Sequence, residues 1–407
     1  MSLSPLPPLT RPPARRSGGR RRRGLPLLAV AGAAALLLSG CGGNGLLSNN
    51  GNGGDSSGPV VLGMVAPMSG SSAAIGPYMK NGAQLAVDEI NKKGGVDGRK
   101  LKLIVQDGAC DAKTAAAAAN KLVTQGVQIS VGGYCSGATL PTLPIFNKAH
   151  VPMIIPAANS TELVDQHLPN VFLINGTGVQ QSEAAVKYID KLGVKRVATM
   201  DDNTSYSVDI AKHTGELLQQ GSGAQLVAHE SVTAGESDYS ANVASVLKAH
   251  PDFVYWTGYY QEGGLIIRQL RQAGYTGKIM VADGSVDQKL IQIAGGSNGQ
   301  GILATMTQTP DTIPGAQGWI NRYKKAFGSA PGPYSTQSYD AVRVAAEAVK
   351  DAKSTDGQKV IKALEGINGL QLFSGPLNFT PEHTLSSGGF QILVTKGNGF
   401  VLKDALQ

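Results

Sequence analysis

Two cysteines, each at the end of an apolar stretch, are the side chains with the clearest capacity for chemistry. Cys110 follows residues 101–105 and Cys135 follows residues 127–131. The segment Gly133-Tyr134-Cys135-Ser136-Gly137 has the G-x-C-x-G form of a nucleophile elbow, which makes a cysteine hydrolase one hypothesis. The neighbouring Ser136 supports another, because a hydroxyl and unpaired N–H groups at a helix start can bind an anion.

A hydrolase needs a histidine and an acid to activate Cys135. The six histidines are scattered and none sits in an obvious signature with an acid: His150, His167, His213, His229, His250 and His383. Cys110 occupies the matching turn of the neighbouring strand–helix unit, which favours a disulfide that closes a loop of about 25 residues and contributes about 3 kcal/mol. A free, reactive Cys135 is the alternative that thiol counting decides.

Other catalytic or cofactor chemistry lacks sequence support. The chain contains no C-x-x-C, H-E-x-x-H or acidic calcium loop, and no glycine-rich nucleotide motif. We therefore expect no metal and no cofactor.

Polar residues recur where predicted strands end. Ser136 and the turn Ala157-Ala158-Asn159 follow neighbouring strands in the first half, and Tyr206, Tyr259 and Asp283 each follow a strand in the second half. Carboxylates bind at helix N-termini, and a buried aspartate attracts an ammonium group. One half for the carboxylate and the other for the amine would make an amino-acid clamp. The alternative is that Ser136, Asn159 and Asp283 only cap local turns.

The order of elements predicts the fold class. Apolar strands alternate with helices from Val60 to Ile174, and the same alternation starts afresh near Gln180. This pattern is typical of an α/β fold with parallel sheets covered on both faces, here as two doubly wound lobes. Within the first half we expect a continuous helix from Ala138 to Ala149.

The formal charge of +7 belongs to the N-terminus. Seven arginines lie before residue 41 with no acid among them, and without them 29 basic residues face 29 acidic ones. The body is formally neutral, so we expect no nucleic-acid partner.

The arginines precede an apolar run from Leu25 to Leu38, which is too short for a comfortable membrane span and has the order of a secretory signal. Leu38-Ser39-Gly40-Cys41 resembles a bacterial lipobox, so we expect residues 1–40 to be a signal peptide and Cys41 to be lipidated. An uncleaved anchor or a chance cysteine is the alternative. Both Sec and twin-arginine export stay open. The Gly, Asn and Ser composition of residues 41–58 predicts a flexible tether.

From Val60 nearly to the C-terminus the chain resembles the leucine/isoleucine/valine-binding proteins, receptors of branched-chain amino-acid ABC transporters with the type I periplasmic-binding fold. The motifs that carry this resemblance are Ala66-Pro67-Met68-Ser69-Gly70, Asn81-Gly82-Ala83, Asp107-Gly108-Ala109-Cys110-Asp111, Tyr134-Cys135-Ser136, Gly235-Glu236-Ser237-Asp238-Tyr239 and Gly375-Pro376-Leu377.

The resemblance implies a disulfide between Cys110 and Cys135 and a ligand bound between two lobes. Ser136 and residues 157–159 would receive its carboxylate, and Asp283 its ammonium group, with Tyr206 and Tyr259 on the second lobe's side. Three positions depart from the family's pattern. Ile75 stands where the family has an aromatic residue of the side-chain pocket, Asn159 stands where it has a threonine, and Asp283 stands where it has a glutamate. We also assign Tyr134 to the ligand site.

The implied lobes are residues 59–177 plus 308–385 and residues 178–307 plus 386–407, joined by a three-strand hinge. We expect a monomeric, non-enzymatic amino-acid receptor of an ABC importer, lipid-anchored on the outer face of the cytoplasmic membrane and docking on a membrane permease. A ligand sensor for a signalling partner is the alternative.

Overall fold

The structure is a computed structural model that describes residues 58–406. The predicted signal peptide, Cys41 and all of the predicted tether except Gly58 lie outside these residues. The described residues belong to one compact unit, which contains two large sheets and one two-stranded sheet.

The first sheet has five parallel strands in the order β2-β1-β3-β4-β5. The strands are β1 (Val60–Ala66), β2 (Leu101–Asp107), β3 (Ile129–Ser130), β4 (Met153–Ile155) and β5 (Val171–Leu173). The helices that connect them are α1 (Gly76–Lys92), α2 (Ala112–Thr124), α3 (Ser136–Thr139), α4 (Leu143–Lys148) and α5 (Glu162–Asp165). The strand order changes direction between β1 and β3, the place where open α/β sheets form a ligand crevice.

Local sequence explains how these helices begin and end. The side chain of Asp111 caps α2 by accepting a hydrogen bond from the Thr114 N–H at 2.7 Å. The predicted helix 138–149 is instead broken into α3, a 3₁₀ turn (Leu140–Thr142) and α4. Pro141 and Pro144 explain the interruption, because proline lacks the N–H that a continuous helix would use.

The second lobe starts with α6 (Gly178–Lys191), which Thr177 and Gln180 begin with a capping box. Its next strands are β6 (Arg196–Asp201), β7 (Gln225–Ser231), β8 (Phe253–Trp256), β9 (Lys278–Val281) and β10 (Leu303–Thr307). The helices between them are α7 (Ser205–Gln219), α8 (Ser240–Leu247), α9 (Tyr260–Gln272) and α10 (Gln288–Ala294).

The C-terminal part contributes to both lobes. It contains α11 (Gln317–Phe327), α12 (Ser335–Ala352), α13 (Gly357–Glu365), the hairpin β11 (Asn368–Leu372) and β12 (Gly375–Asn378), then β13 (Phe390–Lys396) and β14 (Gly399–Asp404). Helix α12 packs on α1, and Gly82 permits this contact, since a Cβ there would lie 2.0 Å from the Ser335 carbonyl oxygen.

Strands β13 and β14 complete the second sheet, whose order is β14-β13-β10-β9-β8-β6-β7. The five strands β6–β10 are parallel, and β13 is antiparallel to both β10 and β14. The α/β fold with two parallel-sheet lobes is therefore confirmed, with an antiparallel edge on the second sheet. The order changes direction between β6 and β8, which places the second lobe's crevice after these strands.

Three connections join the lobes, at residues 174–177, 308–316 and 379–389. The last of them lies along β5, where the Leu173 N–H donates to the His383 carbonyl oxygen at 2.9 Å. The two carboxyl-terminal sheet edges face each other across the cleft, and hydrogen bonds cross between them.

Candidate functional site

A disulfide fixes the loops that follow β2 and β3. Cys110 and Cys135 are bonded, with their Cα atoms 5.4 Å apart. Cys135 directly precedes α3 and is buried. The bond confirms the predicted pairing and removes Cys135 as a free nucleophile, so the cysteine-hydrolase hypothesis is wrong.

Ser136 contacts the neighbouring turn that was predicted to share its role. Its Oγ accepts hydrogen bonds from the backbone N–H of Asn159 at 3.3 Å and of Ser160 at 3.2 Å. The turn itself is held by the Ala158 N–H, which donates to the Gly133 carbonyl at 3.1 Å. Ser136, Ala157, Ala158 and Asn159 are all buried. Two N–H groups thus donate to the Ser136 oxygen, which directs the hydroxyl hydrogen of Ser136 outward as a donor for an anionic oxygen.

The side chain of Asn159 reaches towards the second lobe. Its Nδ2 donates to Gln181 Oε1 at 2.9 Å, and Gln181 Nε2 in turn donates to Thr305 Oγ1 at 2.9 Å. The Oδ1 of Asn159 is buried and has no hydrogen-bond partner in the described part of the chain. Asn159 therefore does not cap its own turn, and its position next to Ser136 leaves one acceptor unsatisfied.

Asp283 lies at the facing edge, in the 3₁₀ turn after β9. Tyr206 Oη donates to its Oδ1 at 2.5 Å, and Tyr334 Oη donates to its Oδ2 at 2.6 Å. The Gly284 N–H donates to Oδ1 at 3.1 Å. These partners are hydroxyl and N–H groups, and none of them is a cation.

Burial raises the pKa of Asp283 above its ordinary value, and the hydrogen bonds from Tyr206 and Tyr334 oppose that rise. The same burial, together with the nearby carboxylate, raises the pKa of Tyr206 and of Tyr334 well above the usual value for a phenol. Both phenols therefore stay protonated and remain donors. A cation that reached Asp283 would stabilise the ionised carboxylate and lower its pKa.

Aromatic rings surround this carboxylate. Tyr259 lies 5.0 Å from Tyr206 between ring centroids, and Tyr134 lies 5.9 Å from Tyr259 and 5.5 Å from Tyr334. Tyr134 and Tyr334 belong to the first lobe, and Tyr206 and Tyr259 belong to the second. The cluster therefore bridges the cleft at the predicted site.

Three members of the site escaped prediction: Gln181, Thr305 and Tyr334. Tyr334 precedes α12 with a left-handed backbone, φ +61°. Its only sequence signal is its place after Pro331-Gly332-Pro333 and directly before a helix. Tyr334 shares this position before a helix with the polar residues that follow the strands. Gln181 carries no comparable signal, since it lies in the second turn of a long amphipathic helix.

Ile75 directly precedes α1 and is 1% exposed. It belongs to the same apolar cluster as Tyr134 and Tyr334. The structure thus places it among buried side chains at the start of α1.

A cavity of about 280 Å³ lies beside the site and is shared by both lobes. Its lining includes Ser72 and Cys135 from the first lobe and Asp202, Tyr259 and Glu262 from the second. It contains no lysine, arginine or histidine in its lining.

Metal-binding clusters and membrane-spanning helices are both absent from the described residues. No group of three or more His, Cys, Asp or Glu side chains in residues 58–406 is placed to hold a metal ion. Over the same residues, no helix combines the length and apolar character that a membrane crossing requires.

Two α/β lobes that enclose a cleft with a buried, uncompensated carboxylate define a two-lobed solute receptor. A family model described as periplasmic binding protein matches residues 59–398. The chain is 31% identical over 334 residues to the leucine-, isoleucine-, valine-, threonine- and alanine-binding protein of Pseudomonas aeruginosa. The alignment covers 82% of this chain and 89% of the relative. The chain is 32% identical over 341 residues to the Leu/Ile/Val-binding protein of Escherichia coli K12, covering 84% and 92%.

A solved structure has the same architecture: the substrate-binding protein of the branched-chain amino-acid transporter of Streptococcus pneumoniae in complex with isoleucine. It is 27% identical, has a TM-score of 0.75, and aligns with 85% of this chain and 100% of that chain. The chain belongs to the periplasmic binding protein family. It is an extracytoplasmic solute-binding protein of the branched-chain amino-acid ABC transporter type and not an enzyme.

Proposed function

We propose that the protein binds a single α-amino acid between its two lobes and holds the two charged ends separately. The observation that carries this proposal is Asp283, which is 2% exposed and whose hydrogen-bond partners are neutral donors. A buried carboxylate without a cation is costly, and an ammonium group from a ligand would compensate it.

The opposite charge has its own receptor across the cleft. The Ser136 hydroxyl receives the α-carboxylate by donating its hydrogen, while the N–H groups of residues 159 and 160 hold the hydroxyl oxygen in place. Ala157, Ala158 and Asn159 shape the turn beside it. Tyr206 and Tyr259 flank the ammonium group beside Asp283, while Ile75 and Tyr134 contact the ligand's side chain. The relatives are named for binding leucine, isoleucine, valine and, in one case, threonine and alanine, which supports an aliphatic or related amino acid as ligand.

Binding requires the lobes to part and close again, because Asp283 and Ser136 are both buried in this structure. We assign residues 59–177 plus 308–385 to the first lobe and residues 178–307 plus 386–407 to the second. The three connections between them act as the hinge. The closed, liganded form then docks on a membrane permease.

Export and anchoring complete the proposal. Residues 1–40 direct export, Cys41 carries the lipid, and residues 41–58 tether a monomeric receptor to the outer face of the cytoplasmic membrane. Replacing Cys41 by alanine should release the protein into the medium and abolish incorporation of labelled fatty acid; a membrane-bound Cys41→Ala variant would contradict the anchor.

The direct test is titration calorimetry of the purified protein with each proteinogenic amino acid. We expect one or more zwitterions to bind with micromolar or lower Kd and to raise the melting temperature. The matched amine and carboxylic acid, each carrying one of the two charges, should bind much more weakly. If no zwitterion binds, the clamp is refuted.

A further inference from the structure

Tyr134 extends across the cleft between the two halves of the proposed clamp. It lies two residues before Ser136, and its hydroxyl donates to the carbonyl oxygen of Gly284 at 3.4 Å. Gly284 directly follows Asp283. The side chain of Tyr134 therefore spans from the loop assigned to the ligand's carboxylate to the loop assigned to its ammonium group.

The ring of Tyr134 is packed on both sides by other rings. Its edge-to-face contact with Tyr334 has a centroid separation of 5.5 Å, and Tyr259 lies at 5.9 Å on the second-lobe side. Tyr134 is 6% exposed. Aromatic side chains consequently occupy the space beside Asp283 in which the side chain of a bound amino acid would lie.

Two cavities lie near this space, and Asp283 lines neither of them. The 280 Å³ cavity is lined by Tyr259 but by neither Tyr134 nor Asp283. A second cavity, of about 20 Å³, lies beyond Tyr134 towards β1 and is lined by Val65, Phe146 and Met153 among others. A leucine side chain needs room on the order of 100 Å³, since a cavity of roughly 150 Å³ holds a benzene molecule.

The backbone of Tyr134 is held in place, so its ring cannot leave the cleft by a shift of the loop. The disulfide fixes the next residue, Cys135. The preceding Gly133 donates its N–H to the Val65 carbonyl at 3.1 Å and accepts from the Ala158 N–H at 3.1 Å. A ligand must therefore share the cleft with the ring of Tyr134.

From this geometry we infer that Tyr134 sets the upper limit on ligand size and that the receptor prefers small zwitterions, with side chains no larger than those of alanine or serine, over leucine, isoleucine and valine. The inference rests on the proposed clamp, whose two ends fix where the ligand's side chain begins.

The test compares glycine, alanine, valine and leucine by calorimetry on the wild-type protein, Tyr134→Leu and Tyr134→Phe. We expect wild type to bind alanine at least tenfold more tightly than leucine. Tyr134→Leu should reduce that ratio at least tenfold by opening space, whereas Tyr134→Phe retains the ring and should retain the preference. Thermal unfolding of each variant establishes that it is folded.

Tyr260→Phe is a matched control, because Tyr260 also spans the cleft, donating its hydroxyl to the Ser71 carbonyl, but none of its hydrogen bonds is to Asp283 or Gly284. It should leave the alanine-to-leucine ratio unchanged. The inference is overturned if wild type binds leucine as tightly as alanine, or if a folded Tyr134→Leu keeps the wild-type ratio. Binding of leucine without preference for small ligands would leave the clamp intact, whereas absence of binding by every amino acid would refute the clamp and this inference with it.

Discussion

The two lobes differ sharply in the charge that they bury. Among the described residues, the buried charged side chains are all acids, and six of them belong to the second lobe: Asp201, Asp202, Asp209, Glu262, Asp283 and Asp287. The first lobe buries only Asp340, and this acid has its own cation, because Arg343 Nη1 lies 2.7 Å from its Oδ1. The first lobe's side of the cleft instead offers N–H and hydroxyl groups around Ser136.

This asymmetry orients a zwitterion. A ligand that carries both charges gains from the acidic second lobe only if its ammonium group faces Asp283, and its carboxylate then meets the Ser136 hydroxyl of the first lobe. Reversing the ligand would place like charges together, which costs several kcal/mol. The contrast between the lobes thus specifies one binding direction.

The largest expected effect comes from removing the charge of the second lobe. Asp283→Asn keeps the shape but leaves an ammonium group without its counter-charge, so we expect the Kd for the amino acid to rise about 100-fold or more. Calorimetry measures this Kd.

Affinity of the wild type for the amino acid should also fall on acidification, because protonation removes the charge of Asp283. The fall should begin at a higher pH than for an ordinary aspartate, because the pKa of Asp283 is raised.

Asp201→Asn is the matched control, since Asp201 is also buried at the end of a second-lobe strand. Its Oδ2 accepts a hydrogen bond from the Ser231 hydroxyl and lies 3.1 Å from His229 Nε2, and both partners belong to β7 at the edge of the second sheet. If both substitutions weakened binding equally, a general acidic field rather than Asp283 would be responsible.

The next effect sharpens the comparison on the first lobe, whose site loop is held covalently. Replacing Cys110 and Cys135 together by serine should lower the free energy of unfolding by about 3 kcal/mol, the loop-closure value for a 25-residue separation. Chemical denaturation measures it. The ligand's Kd should rise too, because Ser136 and Tyr134 lose their fixed backbone. A variant as stable as wild type would contradict this role of the disulfide.

A smaller effect concerns contacts that join the two lobes outside the proposed ligand site. Thr161 of the first lobe donates its N–H to Asp209 Oδ2 at 3.2 Å and its hydroxyl to Oδ1 at 2.5 Å. Asp209→Ala removes both bonds without touching the proposed ligand site, so we expect about a tenfold rise in Kd through a less favourable closure.

Small-angle scattering should show the unliganded Asp209→Ala variant to be more open. Glu216→Ala on the same helix is the control, because within residues 58–406 the carboxylate of Glu216 pairs with its helix neighbours Lys212 and His213 and not with the first lobe. Equal Kd values for wild type and Asp209→Ala would show that these contacts do not influence closure.

The smallest effect tests the first lobe's single buried acid. Burial raises the pKa of Asp340 to about 6, against the opposing charge of Arg343. Because the folded state holds this proton more tightly than the unfolded state, stability falls as pH rises through 6. Because of Asp340, the free energy of unfolding should therefore be about 1 kcal/mol lower at pH 7 than at pH 5.

Denaturant titrations of wild type and Asp340→Asn at the two pH values measure this difference, which the substitution should abolish. An identical pH dependence in the variant would assign the change to other groups.

Much of the fold was predictable because buried strands and amphipathic helices alternate regularly. The hairpin β11–β12 was missed, since only two of its nine residues are buried and the strands lack an apolar pattern. Helices α5 and α10 were missed because they are short, with four and seven residues. Pro141 and Pro144 already indicate a break in the predicted helix 138–149, but the apolar periodicity around them favoured a continuous helix.

The site was predictable where its residues follow strands, as Ser136 and Asp283 do, because parallel strands end at a common edge. Tyr334 was not predictable in this way. It approaches Asp283 from a helix start of the other lobe, 51 residues away in sequence, and that contact depends on how the lobes close. The same holds for the chain of hydrogen bonds from Asn159 through Gln181 to Thr305.

The backbone of Tyr334 bears on how quickly the receptor delivers its cargo. A bulky residue at φ +61° stores strain of about 1–3 kcal/mol, which persists only while its surroundings hold it. Its hydrogen bond to Asp283 is one of those restraints, and because the bond joins the two lobes, parting the lobes would break it. Opening would allow the residue to relax, and each 1.4 kcal/mol recovered before the barrier would raise the ligand dissociation rate about tenfold. Tyr334 would then trade some residence time for faster hand-over to the transporter.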